Sequence, residues 1–481
     1  MSDNQLHLRP LHTLDKDVGV PDADWLASTA GTSKDANKYD IDPFEAQREA
    51  KGKDYVEFRT MGWTQAGLLS CAENVAIGML SFPSVFLRLG MVGGVIATVG
   101  MGVLSYITCW MIVDFKIRHP GVMHYGDAGG VMFGHWGQKL IGIGLVINSM
   151  GLAGSHVLLG KQGLAQLSSN AICSVWFSLI TAVASVLMSI SREFSKLYLM
   201  STLSLISIAI ASLIAIIGVG AQDDSVLVTA SGGPIAWYAF PLAPTLVDIV
   251  GGVTNVLFSF GGNMAAFSFC SEMRRPEDFK KSFIICQGFG ILLYTITGAL
   301  VYAFGGQYVS SPALGMTTKP VKITAWVFAE AMNMLSGIIS VNVGAKYLYI
   351  IVFRKKDLLT SNSWKARISW VGLVSLMWVI GFVIAEVIPF FNELLTILAS
   401  IFNVWFTLGL CGVMWFFDNH PRFALPGQIR LIDTKSKKFF YVCSVGVFVL
   451  SLALTPLGMY SASEGIKKGF ASGSYSHPFS C

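Results

Sequence analysis

The chain has 481 residues, of which 53% are hydrophobic and only 13% charged, with a formal net charge of +5. Soluble domains carry about 25% charged residues, and here long uncharged stretches recur between residues 64 and 462. The composition therefore excludes a soluble globular protein and predicts an all-α integral membrane protein. The basic residues are spread over separate short segments, which argues against nucleic-acid binding.

The N-terminal stretch, 1–60, is polar and lacks a periodic apolar pattern. Such a composition buries too little apolar surface to offset the entropy of folding, so we expect a largely disordered cytoplasmic tail. The stretch also lacks the apolar core of a cleavable signal sequence. Its lysines are candidate contacts for trafficking or ubiquitination machinery; they are Lys16, Lys34, Lys38, Lys51 and Lys53.

Apolar runs long enough to cross a bilayer recur along the rest of the chain. A membrane-spanning helix needs about 20 such residues, and polar breaks separate one run from the next. The pattern predicts eleven transmembrane helices. Their predicted bounds are 63–88, 91–114, 138–166, 171–190, 196–219, 246–271, 282–306, 323–352, 367–388, 390–417 and 439–462.

Basic residues alternate strongly between the two sides of the predicted bundle. One side holds clusters such as 274–281 and 354–356, whereas the other holds only Arg88, Lys319, Lys322, Lys467 and Lys468. Short cytoplasmic loops are rich in lysine and arginine, so the pattern predicts a cytoplasmic N-terminus and an extracellular C-terminus. The RRPEDFKK cluster at 274–281 is interpreted as a solvated topology anchor, with an intracellular gate as the alternative.

The eight cysteines show no CxxC pair and no zinc-type spacing. We therefore expect small buried residues, and neither a disulfide framework nor a metal site. Seven of them lie in apolar runs, namely Cys71, Cys109, Cys173, Cys270, Cys286, Cys411 and Cys443.

The first span contains ENVAIGMLSFP at 73–83, with poor helix formers inside an apolar run. Glycine and proline both weaken a helix. In lipid, the backbone groups that a break frees need partners, so an unwound segment survives only beside a protein-lined cavity. The motif predicts such a segment at mid-membrane, formed by Ala76, Ile77, Gly78, Met79 and Leu80.

A second such place lies in the sixth span, in LFSFGGNMAAFSF at 257–269. The two breaks are five spans apart, and this odd offset predicts two five-helix units inserted in opposite orientations. Paired broken helices in an inverted repeat are typical of a transporter site, while close packing of small residues is the alternative. The residues of this break are Phe258, Ser259, Phe260, Gly261, Gly262 and Asn263.

The inverted repeat also predicts how the chain is divided. The first five-helix unit covers 61–219 and the second covers 246–417. A cytoplasmic loop follows at 418–438, and 439–481 holds the eleventh helix and an extracellular tail.

The electrostatics of two broken helices indicate a class of ligand. The N-terminus of a half-helix offers free N–H groups that suit a carboxylate, and a C-terminal end offers carbonyls that suit an ammonium group. A zwitterionic α-amino acid matches both ends. Phe258 and Phe260 would then face its side chain and favour neutral, apolar or aromatic substrates.

Several segments resemble the amino acid/auxin permease family. AIGMLSFP at 76–83 is similar to the family's first-helix signature GxGxLxxP, with Ala76 in place of the first glycine. FRTMGWTQAG at 58–67, SHVLLGKQ at 155–162 and SEMRRPEDFKK at 271–281 also fit. The resemblance covers residues 55 to 460 and is strongest to fungal neutral amino acid permeases of the methyltryptophan-resistance type.

This resemblance implies eleven helices with a LeuT-like core of ten, in which helices 1 and 6 are broken. It also implies secondary active uptake of amino acids, usually coupled to protons. The implied location is the plasma membrane or, for some members, the vacuole.

Ionisable residues inside the membrane are costly and point to function. Glu73 lies one turn before the first break, where it would contact the substrate or take up the coupling proton, unless a lysine neutralises it. His156 would relay a proton or contact the ligand carboxylate. Lys346 would supply the charge of a bound sodium ion, and Lys161 is a weaker candidate for the same role.

The other acids receive less specific predictions. Glu330 in the eighth span is expected to line an outer vestibule. Four acids close to span ends are expected to face water, and these are Asp248, Glu272, Glu386 and Glu393.

Other classes of protein fit the sequence less well. It contains no GxSxG, HExxH, P-loop or dinucleotide motif of an enzyme, and a channel would favour continuous pore helices. We therefore expect an importer of neutral amino acids that works by proton symport and alternating access at the plasma membrane, without a cofactor. A sodium-coupled carrier, a vacuolar carrier and an amino acid receptor on a transporter scaffold are the alternatives.

Overall fold

The computed structural model describes residues 59–353, 363–420, 434–471 and 479, apart from 193, 195, 196, 224, 226, 229–232 and 389. The side chains of Ala76 and Ile77 also lie outside the described part. Nearly all of the predicted tail at 1–60, with its five lysines, and most of the loop at 418–438 fall outside it. The expectations for those segments therefore stay predictions.

The described residues form helices joined by turns and loops, with one isolated bridge between Met61 and Met273 and no strand. This confirms the all-α prediction. The helices are α1 (Trp63–Arg118), α2 (Tyr125–Leu167), α3 (Ser174–Met188), α4 (Tyr198–Ala221), α5 (Leu246–Ser259), α6 (Ala266–Glu272), α7 (Phe279–Gly305), α8 (Lys319–Phe353), α9 (Trp364–Val387), α10 (Phe391–Asn419) and α11 (Lys435–Ala471).

Eight helices in the described ranges are long and apolar enough to cross a membrane, or nine when the bent α5–α6 pair counts as one span. The first two predicted spans lie together in α1, and the fourth corresponds to α3, which has only 15 residues. The count of eleven spans therefore stays a prediction.

α1 bends at Gly90, the point between its two predicted spans. The φ angle there is +76°, a conformation that side chains disfavour. A Cβ atom at this position would also lie 2.6 Å from the carbonyl oxygen of Ala239. The next two amides, of Met91 and Val92, donate to the carbonyls of Tyr238 and Ala239 at 2.9 Å. The loop before α5 thus takes up hydrogen bonds that the bend leaves open.

The predicted interruption of the first span is absent from this structure. Residues 76–80 are α-helical, and Gly90 is the only residue of α1 with non-helical angles. The helix also accommodates Pro83. Hydroxyl groups of the same helix bond its carbonyls here, since Ser81 donates to Gly78 and Ser84 donates to Ser81 at 2.8 and 2.7 Å. The helix thus stays wound across Pro83 in this structure, which corrects the prediction for 76–80.

The predicted interruption of the sixth span is confirmed. α5 ends at Ser259, a 3₁₀ turn runs over Gly261–Ala265, and α6 follows at an angle of 41° to α5. Two consecutive glycines and an asparagine are weak helix formers, so this is where a helix yields at least cost. The break divides a single apolar run into two half-helices.

The helices around this break bring the site together. α1 packs along α7 and against α5, while α8 packs against α2, α4 and α1. α10 contacts the break through two wider π-helical turns, Ala399–Asn403 and Trp405–Gly409. Such turns are frequent at functional sites. Residues from α1, α2, α8 and α10 therefore meet the α5–α6 break.

The cysteines differ in one respect from expectation. Six of the described ones are free, and all but the half-buried Cys443 are buried, as predicted for small core residues. Cys173, which precedes α3, is instead disulfide-bonded. This corrects the expectation that it is a plain apolar residue. It is half-buried and lies in the short α2–α3 connection, directly before the first residue of α3.

Candidate substrate site

A small cavity lies where the α5–α6 break faces α1. Its volume is about 30 Å³, enough for one or two water molecules and far below the 300–1,000 Å³ that is typical of small-molecule pockets. The lining is a mixture of polar and apolar side chains. It consists of Glu73, Asn74, Gly78, Leu152, His156, Phe258, Gly261, Gly262, Met264, Ser336, Ser340 and Asn403.

Side chains from neighbouring helices satisfy the backbone of the break. The N–H of Gly262 donates to Asn74 Oδ1 at 2.5 Å, and the carbonyl of Phe260 accepts from the hydroxyl of Ser105 at 2.9 Å. Asn263 Nδ2 donates to Thr108 Oγ1 at 2.8 Å and, less closely, to two carbonyls. Because buried backbone groups need partners, these contacts hold the break in a defined shape.

The facing part of α1 also receives hydrogen bonds from outside its own helix. The hydroxyl of Tyr294 on α7 donates to the carbonyls of Asn74 and Ser259, at 2.7 and 3.1 Å. Ser336 on α8 donates to the carbonyl of Glu73 at 3.2 Å. Two α1 carbonyls next to Gly78 thus already have second donors, which lowers the cost of opening the helix at this point.

Close approach of backbones defines the floor of the cavity. A Cβ atom at Gly78 would lie 3.0 Å from Ser259 Cα and closer still to its side chain. A Cβ atom at Gly262 would overlap the amide of Asn74, whereas one at Gly261 would lie 3.0 Å from Asn403 Nδ2. The first contact involves a backbone that has no room to move, so Gly78 is the strictest of the three.

Glu73 is the acid of the cavity. Its Oε2 atom is buried and has no hydrogen-bond partner. Among the described residues it takes part in no ion pair, since Lys161 and Lys346 pair with other acids. An acceptor of this kind suits an ammonium group or a proton.

Lys346 and Lys161 lie away from the cavity. Lys346 pairs with Glu272 at the end of α6, and its Nζ atom lies 3.6 Å from the ring centroid of Phe194. Lys161 pairs with Glu386 at 2.9 Å. The two acids are 2% and 1% exposed, which corrects the expectation that they face water. Position near a span end did not predict exposure, because each acid is sealed by a lysine from another helix.

His156 reaches the cavity from α2 and is bonded to α8. Its Nδ1 atom lies 2.9 Å from Asn333 Oδ1. Asn333 Nδ2 donates to the carbonyl of His156 at 3.1 Å and to Glu330 Oε2 at 3.4 Å. The ring fits because α8 has Gly337 opposite, where a Cβ atom would lie 2.8 Å from the imidazole.

The predicted site residues are thus placed in two groups. Glu73, Gly78, His156, Phe258, Gly261 and Gly262 line the cavity. The remaining described ones, Met79, Leu80, Ser259, Phe260 and Asn263, are buried in the packing around it, and Lys346 lies with Glu272. Ala76 and Ile77 lie on the adjacent turn of α1, with side chains outside the described part.

Sequence reasoning missed half of the lining. Four of the missed residues are polar ones inside apolar spans, and for three of these the position in the span was a usable signal. Ser336 and Ser340 are four residues apart and therefore share one face of α8, and Asn403 is an amide in the middle of the tenth span. The other missed residues are Asn74, Leu152 and Met264.

A larger groove of about 690 Å³ lies between α2 and α10. Its walls are almost entirely apolar and include Trp136 and Leu140, which are 80% and 76% exposed. In a membrane these side chains face lipid. The small cavity, with its acid, imidazole and amides, is therefore the better candidate for a polar ligand.

Comparisons with known proteins agree with this architecture. A family model described as "Transmembrane amino acid transporter protein" matches residues 59–461. The "N amino acid transport system protein" of Neurospora crassa is 32% identical over 435 residues, which cover 89% of each chain.

Two solved transporter structures share the fold. Mhp1, a nucleobase-cation-symport-1 family transporter in a closed conformation, has a TM-score of 0.56 at 15% identity and covers 85% of this chain and 91% of its own. MhsT in complex with L-phenylalanine has a TM-score of 0.54 at 13% identity, covering 85% and 100%. These likenesses confirm the predicted LeuT-like fold.

Proposed function

The chain belongs to the transmembrane amino acid transporter family, and we propose that it imports neutral amino acids by proton symport. The observation that carries the proposal is the cavity at the α5–α6 break, which has an unpartnered acid on one wall. The ammonium group of a substrate would meet Glu73. Its carboxylate would meet the hydroxyls and amides of the opposite wall, and its side chain would pack on Phe258, Leu152 and Met264.

The size of the cavity supports a mechanism of alternating access. A volume of about 30 Å³ does not admit an amino acid, so the helices around the break must separate before binding. At the predicted inner end, the buried Lys346–Glu272 pair joins α8 to α6. The amide of Met61, just before α1, donates to the carbonyl of Glu272 at 3.1 Å. We propose that this end must release its contacts to open inward.

The proposed orientation has a cytoplasmic N-terminus. Its support is the distribution of basic residues, together with the disulfide-bonded Cys173 in a connection that this topology puts outside. Disulfides persist on the oxidising side of a membrane. We propose the plasma membrane as the location.

Transport of a radiolabelled amino acid panel tests the proposal. Uptake into transport-deficient cells would be measured at about pH 5 and about pH 7, the range in which proton-coupled groups titrate, with and without sodium. We expect accumulation of neutral amino acids that is faster at low pH and independent of sodium. Uptake that requires sodium would show that sodium, and not the proton, is the coupling ion. Binding of amino acids without accumulation would instead favour a receptor. Uptake found only in isolated vacuoles would assign the protein to the vacuolar membrane.

A further inference from the structure

Apart from Glu73, which lines the cavity and is assigned to the substrate, the buried glutamates in the described membrane-spanning helices are of two kinds. Glu272 and Glu386 each contact a lysine, so each is neutralised as an ion pair. Glu330 is 7% exposed, and no ion pair joins it to any cation in the described part of the chain. Its Oε1 atom has no hydrogen-bond partner. A buried carboxylate without a cation is costly, so this acid calls for a proton.

The hydrogen bonds of Asn333 join Glu330 to the cavity. The amide NH₂ of Asn333 has two acceptors, the carbonyl of His156 and Glu330 Oε2. This orients Oδ1 toward the imidazole, 2.9 Å from Nδ1. Since an amide oxygen only accepts, Nδ1 must carry the hydrogen. The other ring nitrogen of His156 is then a free base, on a residue that lines the cavity.

Glu330 and His156 together form one protonation unit, because a single proton shared between them sets their net charge. With one proton between them, the unit is neutral in either arrangement, as acid plus imidazole or as carboxylate plus imidazolium. Asn333 fits both arrangements, because it accepts from Nδ1–H and donates to the carboxyl group in each. Loss of the proton leaves an uncompensated anion in a dry environment. Release therefore requires water to enter, which happens only when the cavity opens.

The charged groups on the helices that pack against α8 leave this unit undisturbed. α2 brings Lys161, which is held by Glu386 of α9 at 2.9 Å. α1 brings Glu73, which lines the cavity together with His156 and takes part in no ion pair among the described residues. α3 and α4 carry no acid, lysine, arginine or histidine. Backbone of α2 closes the remaining side, because Glu330 Oε1 packs directly against Gly163, where no Cβ atom fits.

We propose that Glu330 and His156, joined by Asn333, bind the proton that accompanies the substrate. The inference rests on the proposed proton symport and names its proton site. Glu330 lies about three turns from the outer end of α8, between the predicted external face and the cavity. A proton bound there neutralises the unit while the cavity is closed, and its release accompanies opening to the inside.

The experiment uses the full chain reconstituted into liposomes. Two rates are compared for each protein: substrate uptake driven by an inward proton gradient, and counterflow exchange at equal pH, which needs binding and movement but no net proton transfer. For the wild-type protein we expect an inward gradient of about one pH unit to accelerate uptake up to about tenfold, because one pH unit is a tenfold difference in proton concentration. In Glu330→Gln we expect counterflow within about twofold of wild type and no acceleration.

Three further variants act as controls. Glu330→Asp keeps an acid and should restore part of the acceleration. Glu393→Gln removes an acid at the start of α10 and should leave the acceleration unchanged. Glu73→Gln tests the rival acid of the cavity, and its acceleration should persist even if its substrate affinity falls.

The outcomes separate the two proposals. If uptake by the wild-type protein did not respond to the proton gradient, the proposal of proton symport would itself be contradicted. If the gradient accelerates uptake by the wild-type protein and also by Glu330→Gln, the proposed proton site is wrong. Loss of counterflow in both Glu330→Gln and Glu330→Asp would also overturn it, because the carboxyl would then serve folding or binding.

Discussion

Two backbone segments face each other across the cavity, and they differ in conformation. Residues 76–80 of α1 continue a regular helix, whereas Gly261–Ala265 between α5 and α6 form a 3₁₀ turn. Both contain glycine in an apolar run. The difference lies in the partners of their polar groups. In the break, donors and acceptors are met by α1, α7 and α10, while hydroxyls of α1 itself bond the carbonyls around Gly78.

This difference shows what decides whether a weak helix opens. A freed backbone group in a membrane needs a replacement partner, and the break has Asn74, Ser105 and Tyr294 in place. Near Gly78, the donors that α1 receives from other helices bond the carbonyls of residues 73 and 74, about one turn before the glycine. We infer that α1 is prepared to open but is closed here, in keeping with the small volume of the cavity. The following predictions test this comparison.

The largest effect is expected at Gly78, where the two segments touch. Gly78→Val would place side-chain atoms against the backbone of Ser259, which lies 3.0 Å from an added Cβ. Overpacking by a few methyl groups costs about 1–3 kcal/mol even where side chains adjust, and here backbone must move. We expect uptake to fall by about 100-fold or more, with surface expression retained.

The matched control for this substitution is Gly100→Val, in the same helix but with nothing within 4 Å of an added Cβ. It should transport normally. Equal uptake by the Gly78 and Gly100 variants would show that the two segments separate freely. It would contradict the assignment of the cavity as the substrate site.

The two segments also differ in how well their conformation could be predicted from the sequence. The apolar runs specify the helices, and the Gly-Gly-Asn sequence in the sixth span located the break between α5 and α6. Whether residues 76–80 of α1 are helical or unwound could not be predicted from the sequence. It depends on distant donors such as Tyr294 and on which conformation the bundle adopts. The pairings of Lys346 with Glu272 and Lys161 with Glu386 join residues far apart in the chain, and no local pattern reveals them.

A smaller effect is expected at Asn74, which connects the two segments. Its Oδ1 atom accepts the 2.5 Å hydrogen bond from the amide of Gly262. Asn74→Ala leaves this buried N–H without a partner, which costs about 1–3 kcal/mol, or roughly one to two powers of ten in rate. We expect uptake to fall by that factor, as measured by initial rates at equal surface expression.

The control for Asn74 is Ser70→Ala, one turn earlier on α1, where the hydroxyl bonds only the carbonyl of Ala66. Its uptake should equal that of the wild type. If Asn74→Ala also transported at the wild-type rate, the break would hold its shape without α1, and the proposed dependence of one segment on the other would fail.

The smallest and most discriminating effect comes from removing, for each segment, one α1 hydroxyl that donates to its backbone. Ser105→Ala removes the hydroxyl that donates to Phe260 in the break, and Ser81→Ala removes one that donates to Gly78 within α1. A net hydrogen bond contributes about 1 kcal/mol, so uptake by Ser105→Ala should fall about fivefold. Ser81→Ala should stay within about twofold, because alanine is a better helix former and the Gly78 carbonyl keeps its place in the helix. Substrate-dependent protection in thermal unfolding of both purified variants distinguishes the cases, since only Ser105→Ala should weaken it. A reversed order would mean that α1 is held by its own hydroxyls against opening, and that this helix limits the transport cycle.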